Sequence, residues 1–221
     1  MKISDNDIDK IMNDAYDYID NILKPIINNS YAEGNPYVEG NIFDLDETFT
    51  KKEDNMFIEK RRNVVISCQD KINALEIGFN AGFSALLILL SNPNIKLTCV
   101  DINFHKYVIP CFNQLKKDFG DRIRLLIGDS CSVVPSIVDK FDLVHIDGGH
   151  TINIAECDIR NTYKLLMNNA VIIMDDVDIY DNNNQIANLW KHYVNTFSYK
   201  APTFDLFISR HHDVRVYTSD S

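Results

Sequence analysis

Carboxylate side chains recur in this 221-residue chain at points where an apolar run ends. The acids at these points are Glu76, Asp101, Asp129, Asp147, Asp175 and Asp176. A carboxylate accepts hydrogen bonds from hydroxyl groups, attracts organic cations and ligates hard metal ions. His150 follows Asp147 by three residues and adds a group that can accept a proton near neutral pH. Together these residues indicate a site that handles hydroxyl groups, cations and protons.

A glycine-containing segment, residues 74–84, predicts a buried strand, a tight turn and the start of a helix. Glu76 ends the strand, Gly78 follows two residues later, and Gly82 and Ser84 open the helix. The pattern E-x-G-x-x-x-G differs from the G-x-G-x-x-G of dinucleotide-binding proteins, in which a helix N-terminus meets a pyrophosphate. An acid at the strand end favours instead a ligand with an ammonium or sulfonium group.

Composition limits the classes of partner. The formal net charge is −10 and the longest basic run is Lys60-Arg61-Arg62, so the sequence favours a small-molecule partner over nucleic acid. The longest apolar run, 85–90, is too short to cross a bilayer, and no secretion signal begins the chain. We therefore expect a soluble cytoplasmic protein without a membrane partner. The five cysteines form no C-x-x-C pair, and we expect them to be reduced and structural.

The N-terminal part is predicted to be a helical extension that leads into the core. Apolar residues recur at helical spacing over 6–27, which predicts an amphipathic helix that ends near Pro25. Residues 28–54 lack periodicity and predict a lid-like loop, and a second helix is expected over 55–70. These features predict two regions, an N-terminal extension over 1–70 and a main domain over 71–221.

Strands and helices then alternate, which predicts a parallel sheet with helices on both faces. Strands are predicted at 74–78, 96–101, 123–128, 141–147 and 170–175. Helices are predicted at 84–91, 107–119, 130–138, 152–167 and 184–196. Segments 199–209 and 214–218 predict a final antiparallel hairpin. The expected fold is therefore α/β, a Rossmann-like seven-stranded, mostly parallel sheet with an N-terminal helical extension.

Ligands of open parallel sheets bind beyond the carboxyl ends of the strands, where the predicted acids gather. Asp101 follows the glycine segment by roughly 20 residues, the spacing at which an acid can bind both hydroxyls of a ribose. Its alternative role is to cap the following helix. Asp129 is placed either to reach an adenine amino group or to cap the helix that begins at Ser130, and one residue can do both.

These motifs, residues 76–84, Asp101 and residues 128–130, resemble the first three motifs of the class I S-adenosylmethionine-dependent methyltransferases. The resemblance covers about 73–218 and implies that the glycine loop passes beneath the methionine part of the cofactor. Asn80 replaces a glycine common in the family, but asparagine tolerates positive φ. The implied cofactor-binding residues are Glu76, Gly78, Phe79, Asn80, Gly82, Ser84, Asp101, Ile102, Gly128, Asp129, Ser130 and Asp147.

Asp147, Asp175 and Asp176 end neighbouring predicted strands, and three carboxylates held together need a cation or protons to offset their repulsion. Oxygen-only ligation favours Mg²⁺, with Ca²⁺ or Mn²⁺ as alternatives. The arrangement resembles the catechol and caffeoyl-coenzyme A O-methyltransferases, in which such residues bind a divalent metal. Alternatively, the acid pair caps a loop and Asp147 contacts only the methionine amino group.

His150 occupies the position at which those O-methyltransferases carry a lysine that takes the substrate proton. The resemblance therefore implies that His150 is the catalytic base beside Asp147, although it could instead be a ligand or structural. His145 is predicted to pack inside the sheet, and His211 and His212 to be solvated in a turn. Candidates for the acceptor-site wall are Tyr180, Tyr31, Tyr37 and Phe43, whereas Trp190 and Tyr193 have the spacing of core residues.

The predicted function is transfer of a methyl group from S-adenosylmethionine to a hydroxyl of a small molecule, assisted by a divalent cation. One alternative is a metal-independent methyltransferase that acts on a sugar or nitrogen. Another is a protein that binds S-adenosylmethionine without catalysis. The sequence does not specify the acceptor, and the first helix could cover the cofactor cleft or form a homodimer contact.

Overall fold

Helices and strands alternate from Asn73 onward, as the sequence pattern predicts. The computed structural model describes residues 3–31, 38, 41–43, 45, 57–178, 183–207, 209 and 211–218. The helices are α1 (Asp5–Tyr18), α2 (Lys24–Ser30), α3 (Ile58–Ser67), α4 (Phe83–Ser91), α5 (Val108–Phe119), α6 (Ser130–Val133), α7 (Ile152–Tyr163) and α8 (Gln185–Thr196). The strands are β1 (Asn73–Ile77), β2 (Lys96–Asp101), β3 (Ile123–Ile127), β4 (Phe141–Ile146), β5 (Leu166–Asp175), β6 (Tyr199–Lys200) and β7 (His212–Tyr217).

The seven strands form one sheet in the order β3-β2-β1-β4-β5-β7-β6. The first five are parallel, and β7 runs antiparallel to both β5 and β6. The predicted sheet is therefore confirmed. The order of the strands reverses between the neighbouring strands β1 and β4, so a crevice opens at the carboxyl ends of these two strands.

Alternating side chains of the strands supply two hydrophobic cores, one on each face of the sheet. In β1, Ala74 packs in one core and Leu75 in the other. The first core contains residues of α1, α3, α4 and α5, and the second contains residues of α7 and α8. Helices therefore cover both faces, as predicted.

The first helix does not end at Pro25, contrary to prediction. A π-helical turn, Ile19–Leu23, joins α1 directly to α2, and Pro25 lies in the first turn of α2. The helix therefore continues past the proline, with the π-helical turn directly before it. The second helix, α3, is shorter than the predicted 55–70. No helix among the described residues is long and apolar enough to cross a membrane.

The C-terminal boundaries also differ from prediction. The strand β5 begins at Leu166 instead of residue 170, and β6 has two residues where 199–209 was expected. The prediction that His212 is solvated is wrong, because His212 begins β7 and is buried. Its Nε2 lies 3.0 Å from the Asn63 side-chain nitrogen of α3, a contact between residues far apart in the chain.

Candidate active site

A cleft of about 510 Å³ opens at the carboxyl ends of β1 to β4, a size typical of small-molecule sites. Many residues predicted for the site line this cleft: Gly78, Phe79, Asn80, Ser84, Asp101, Ile102, Gly128, Asp129, Ser130, Asp147 and His150. The segment predicted as a lid also reaches the cleft, through Val38, Asn41 and Ile42. Sequence reasoning did not identify these three residues, nor Phe104 and His105 at the cleft wall.

The turn between β1 and α4 requires glycine at specific positions. Gly78 has a φ of +93°, and a Cβ atom there would lie 1.8 Å from the carbonyl oxygen of Asp147. Gly82, with a φ of +78°, precedes α4 in the left-handed conformation. Asn80 also has a positive φ, 51°, as its tolerance of that region allows. Its Oδ1 accepts a hydrogen bond from the Tyr107 hydroxyl at 2.7 Å.

Asp101 is oriented by backbone hydrogen bonds at the cleft wall. Its Oδ2 accepts from the Asn80 amide at 2.8 Å, and its Oδ1 accepts from the Asn103 amide at 2.7 Å. Each oxygen keeps a second lone pair with which it can bind a hydroxyl group. The next helix, α5, begins after Tyr107 without a side-chain cap, so the alternative role of Asp101 as a helix cap is wrong.

Asp129 follows β3 at the cleft wall. Its Oδ1 accepts from the Cys131 amide at 3.0 Å and caps α6. The residue also lines the cleft, so the structure is compatible with both roles that the sequence suggested.

Glu76 does not reach the cleft wall, because its side chain is fully buried within the sheet. Its Oε1 lies 3.3 Å from Nδ1 of His145, and its Oε2 accepts from the Cys99 thiol at 3.4 Å. Burial lowers the pKa of His145, but the hydrogen bond to Glu76 and the charge of Asp147 outweigh burial and raise it. The packing of His145 inside the sheet is confirmed. Gly82 is likewise absent from the cleft wall.

The carboxylates at the ends of β4 and β5 form two groups instead of the predicted single triad. In the outer group, ligand atoms of Asp147, His150 and Asp176 lie within 4.8 Å of one another, and His150 Nε2 is 3.1 Å from Asp176 Oδ2. The inner group contains His145, Asp147 and Asp175. Asp147 therefore belongs to both groups, whereas Asp175 and Asp176 belong to one each.

Lys60 of α3 enters the inner group, a contact that sequence reasoning missed. Its buried ammonium donates a hydrogen bond to Oδ2 of Asp175, while Oδ1 of Asp175 accepts from the Asp176 amide at 2.8 Å. Burial tends to raise the pKa of Asp175, but the charge of Lys60 outweighs it and lowers that pKa. Burial and the charge of Asp175 raise the pKa of Asp147 well above its usual value and also raise that of Asp176.

Asp158 of α7 is a second buried charge that the sequence did not reveal. Its side chain is 1% exposed, and neither carboxylate oxygen has a hydrogen-bond partner of normal geometry. Burial raises its pKa to about 6, and the nearby Ser130 hydroxyl offsets part of that effect. A Cβ atom at Gly148 would lie 2.7 Å from Asp158 Oδ2, so this carboxyl lies directly against the loop between Asp147 and His150.

The aromatic residues proposed for the acceptor site have different positions. Tyr31 packs against Tyr107, with ring centroids 5.9 Å apart, and Phe43 is buried against Phe83. Tyr37 and Tyr180 lie outside the described residues. Trp190 and Tyr193 are buried, which confirms that they belong to the core.

Comparison with known proteins supports the methyltransferase resemblance. Residues 75–177 match the family described as "Methyltransferase domain". Among curated proteins, none matches this sequence significantly.

Solved structures share the fold at low sequence identity. Cofactor-bound Rv0187 from MTB is 17% identical, with a TM-score of 0.60 over 94% of this chain and 96% of that one. The O-methyltransferase TomG from Streptomyces achromogenes, solved with S-adenosylmethionine, is 14% identical, with a TM-score of 0.54 over 73% and 79%. The N-methyltransferase NodS from Bradyrhizobium japonicum WM9, solved with S-adenosylhomocysteine, is 14% identical, with a TM-score of 0.55 over 90% and 99%.

Proposed function

We propose that this chain is an S-adenosylmethionine-dependent methyltransferase that methylates an oxygen atom of a small molecule with the help of a divalent cation. The domain match and the class I fold support the methyltransferase part of this proposal. The observation that carries this proposal is the convergence of Asp147, His150 and Asp176 at one end of the cleft. The glycine turn and Asp101 line the same cleft, so cofactor and acceptor sites would adjoin.

The cleft residues fit the cofactor. In this proposal Asp101, which two backbone amides orient, accepts hydrogen bonds from the ribose hydroxyls. Asp129, which lines the same cleft, accepts from the adenine amino group. Gly78 allows the chain to pass close to the Asp147 backbone, which brings that strand end to the cleft. Bound S-adenosylmethionine supplies a methyl group activated by its sulfonium charge.

The outer group fits a divalent cation. Two carboxylates and one imidazole suit Mn²⁺ better than Mg²⁺, because Mg²⁺ prefers oxygen ligands alone. The ligand atoms of the three residues are already close enough to share one ion. The pKa values of Asp147 and Asp176 are raised first by burial and then by repulsion from Asp175, and a cation would relieve that repulsion. A divalent cation at this position lowers the pKa of a hydroxyl that it contacts.

A second candidate function is metal-independent transfer, favoured by the contact between His150 and Asp176. In this case His150 takes the acceptor proton and Asp176 stabilises the resulting imidazolium, a division of roles known from other enzymes. The His150 side chain is 65% exposed and therefore accessible to an acceptor. This mechanism would also serve a nitrogen or sugar acceptor.

The cofactor site is tested by titrating the protein with S-adenosylhomocysteine in a calorimeter. Because Asp101→Ala removes two charge-assisted hydrogen bonds, we expect the affinity to fall by roughly tenfold to several hundredfold. Asp139→Ala is the matched control, since Asp139 pairs with Arg124 outside the residues of the cleft. Equal affinities of Asp101→Ala and the control would show that the ribose is placed wrongly.

The cation is tested by methyl transfer to a catechol probe before and after treatment with EDTA. We expect chelation to abolish transfer and added Mg²⁺ or Mn²⁺ to restore it, because the cation acidifies the attacking hydroxyl. Transfer that persists after chelation would contradict the cation and favour the His150 mechanism.

A further inference from the structure

Lys60 is a buried cation at the candidate metal site, although it belongs to the N-terminal part of the chain. The residue is 5% exposed, and its ammonium is bonded to Asp175. Burial tends to lower the pKa of Lys60, but the carboxylates of Asp175, Asp147 and Asp176 outweigh burial and raise it. The buried ion pair with Asp175 makes Lys60 a fixed positive charge beside these carboxylates.

The fold holds this ammonium in place through other contacts of α3. The Asn63 side chain donates to the Phe207 carbonyl at 2.9 Å and accepts from the Phe207 amide at 2.8 Å. It also contacts His212 at the start of β7. One turn away, the Lys60 ammonium lies 5.3 Å from the centre of the Phe57 ring. The helix is thus fixed against the same sheet edge that presents the carboxylates.

Asp175 is buried and already paired with a cation, unlike the other two carboxylates. One of its oxygens accepts from Lys60 and the other accepts from the Asp176 amide. Asp147, His150 and Asp176 form the outer group without it. His145 is paired with Glu76, so the charges that remain are those of Lys60 and of the carboxylates of Asp147, Asp175 and Asp176. Their sum is two net negative charges, which match one divalent cation.

We propose that Lys60 is a positioning residue that acts as a resident cation, keeping Asp175 out of the metal ligands and setting the charge of the outer group for a single divalent ion. This inference rests on the proposed function, because it assumes that the outer group binds a cation. It assigns to α3 an electrostatic role in the site, and it makes Asp175 a partner of Lys60 instead of a ligand.

The test is a double-mutant cycle of charge changes on the whole 221-residue chain saturated with S-adenosylhomocysteine. Mn²⁺ affinity is measured by electron paramagnetic resonance. Lys60→Met adds one net negative charge and should tighten Mn²⁺ binding by about tenfold or more. Asp175→Asn removes one and should weaken binding by a similar factor. The double variant Lys60→Met with Asp175→Asn restores the charge and should bind within about threefold of the native protein. Lys60→Arg should also resemble the native protein.

Arg62→Met is the matched control for damage to α3, because Arg62 lies in the same helix as Lys60 but is paired with Asp5 and Asp9 of α1. It should leave the Mn²⁺ affinity unchanged. Affinity for S-adenosylhomocysteine and the thermal transition report the fold of each variant. If Lys60→Met does not fold, the double variant still decides the question, because it leaves no unpaired buried charge.

The outcomes separate this inference from the proposed function. If the native protein binds Mn²⁺ and the Mn²⁺ affinity of the folded double variant is lower by tenfold or more, Asp175 is a ligand. That result overturns the inference, while the proposed cation stands. If only Lys60→Met binds Mn²⁺, the proposed cation fails and Lys60 is supported as the resident cation. If neither the native protein nor Lys60→Met binds Mn²⁺, both the proposed cation and the role of Lys60 fail.

Discussion

At the scale of single residues, burial and partner choice determine what each charged group can do. Lys60 and Asp175 are buried together and each holds the other in its charged form. Asp158 is buried without a normal hydrogen bond, and burial raises its pKa to about 6. A pair of buried opposite charges can coexist at neutral pH, whereas a lone buried carboxylate costs free energy when it ionises.

Asp158 should make the stability of the protein depend on pH. The pKa of Asp158 in the folded state is raised from an ordinary value near 3.9 to about 6. The contribution of the protonated carboxyl to stability is therefore complete below about pH 4, and it is lost as the pH rises through about 6. Asp158→Asn cannot ionise, so we expect this variant to exceed the native protein in unfolding free energy by about 1–2 kcal/mol at pH 8. That difference should disappear near pH 4.

Urea denaturation of both proteins at pH 8 and pH 4 measures this effect. Asp142→Asn provides the control, because the Asp142 carboxylate accepts from the Ile72 and Asn73 amides and its loss should destabilise at either pH. A lower stability of Asp158→Asn than of the native protein at pH 8 would show that the Asp158 carboxylate has a favourable partner.

At the scale of elements, the turn between β1 and α4 is determined by backbone geometry. Gly78 and Gly82 have positive φ values, and Asn80 adopts the same region between them. Gly78 also lies against the backbone of Asp147, so this turn and the end of β4 are mutually constrained. One turn therefore shapes the cofactor cleft and positions a residue of the candidate cation site.

Gly78→Ala should disrupt this arrangement, because the added Cβ would overlap the Asp147 carbonyl and φ is +93°. We expect at least about 3 kcal/mol of destabilisation and the loss of measurable S-adenosylhomocysteine binding. Gly120→Ala is the matched control, since Gly120 has a φ of +59° with no atom within 4 Å of the added Cβ. It should leave binding intact and cost about 1–3 kcal/mol, because φ 59° with ψ −136° is a backbone conformation that few residues other than glycine adopt. Calorimetry and urea denaturation would compare them, and similar effects of both changes would contradict the steric explanation.

At the scale of the whole molecule, the N-terminal helices share a core with the sheet. Ile8, Met12, Ile19 and Leu23 belong to the same hydrophobic cluster as Leu86 of α4. Through Lys60, the N-terminal part also reaches the strand-end carboxylates. The division at residue 70, which the sequence suggested, thus crosses a continuous core in the structure.

Ile19→Ala should therefore destabilise the entire protein. Ile19 is fully buried, and a cavity of this kind costs about 2–4 kcal/mol. We expect one cooperative thermal transition, shifted to lower temperature, when melting is followed both by circular dichroism and by release of S-adenosylhomocysteine. The control Asp14→Ala, at an exposed position of α1, should shift the temperature of this transition little. If part of the circular dichroism signal is lost at lower temperature while the ligand is still bound, the N-terminal extension is a separate unit.

The sequence by itself determined the order of elements, the positive-φ turn at Asn80 and the gathering of Asp101, Asp129 and Asp147 at strand ends. These features follow from local periodicity and from the rule that parallel strands end at one edge of the sheet. Boundaries such as the start of β5 and the helix through Pro25 were less predictable, because neighbouring elements decide where pairing begins and ends.

Only the tertiary structure decided which charges meet. Glu76 pairs with His145 inside the sheet instead of facing the cleft, and Lys60 meets Asp175 across 115 residues of sequence. Lys60 belongs to a basic run that resembles an exposed surface patch, and no spacing in the chain indicates its partner. The physical reason is that an ion pair depends on distance in space and on burial, and both arise when α3 packs against the finished sheet.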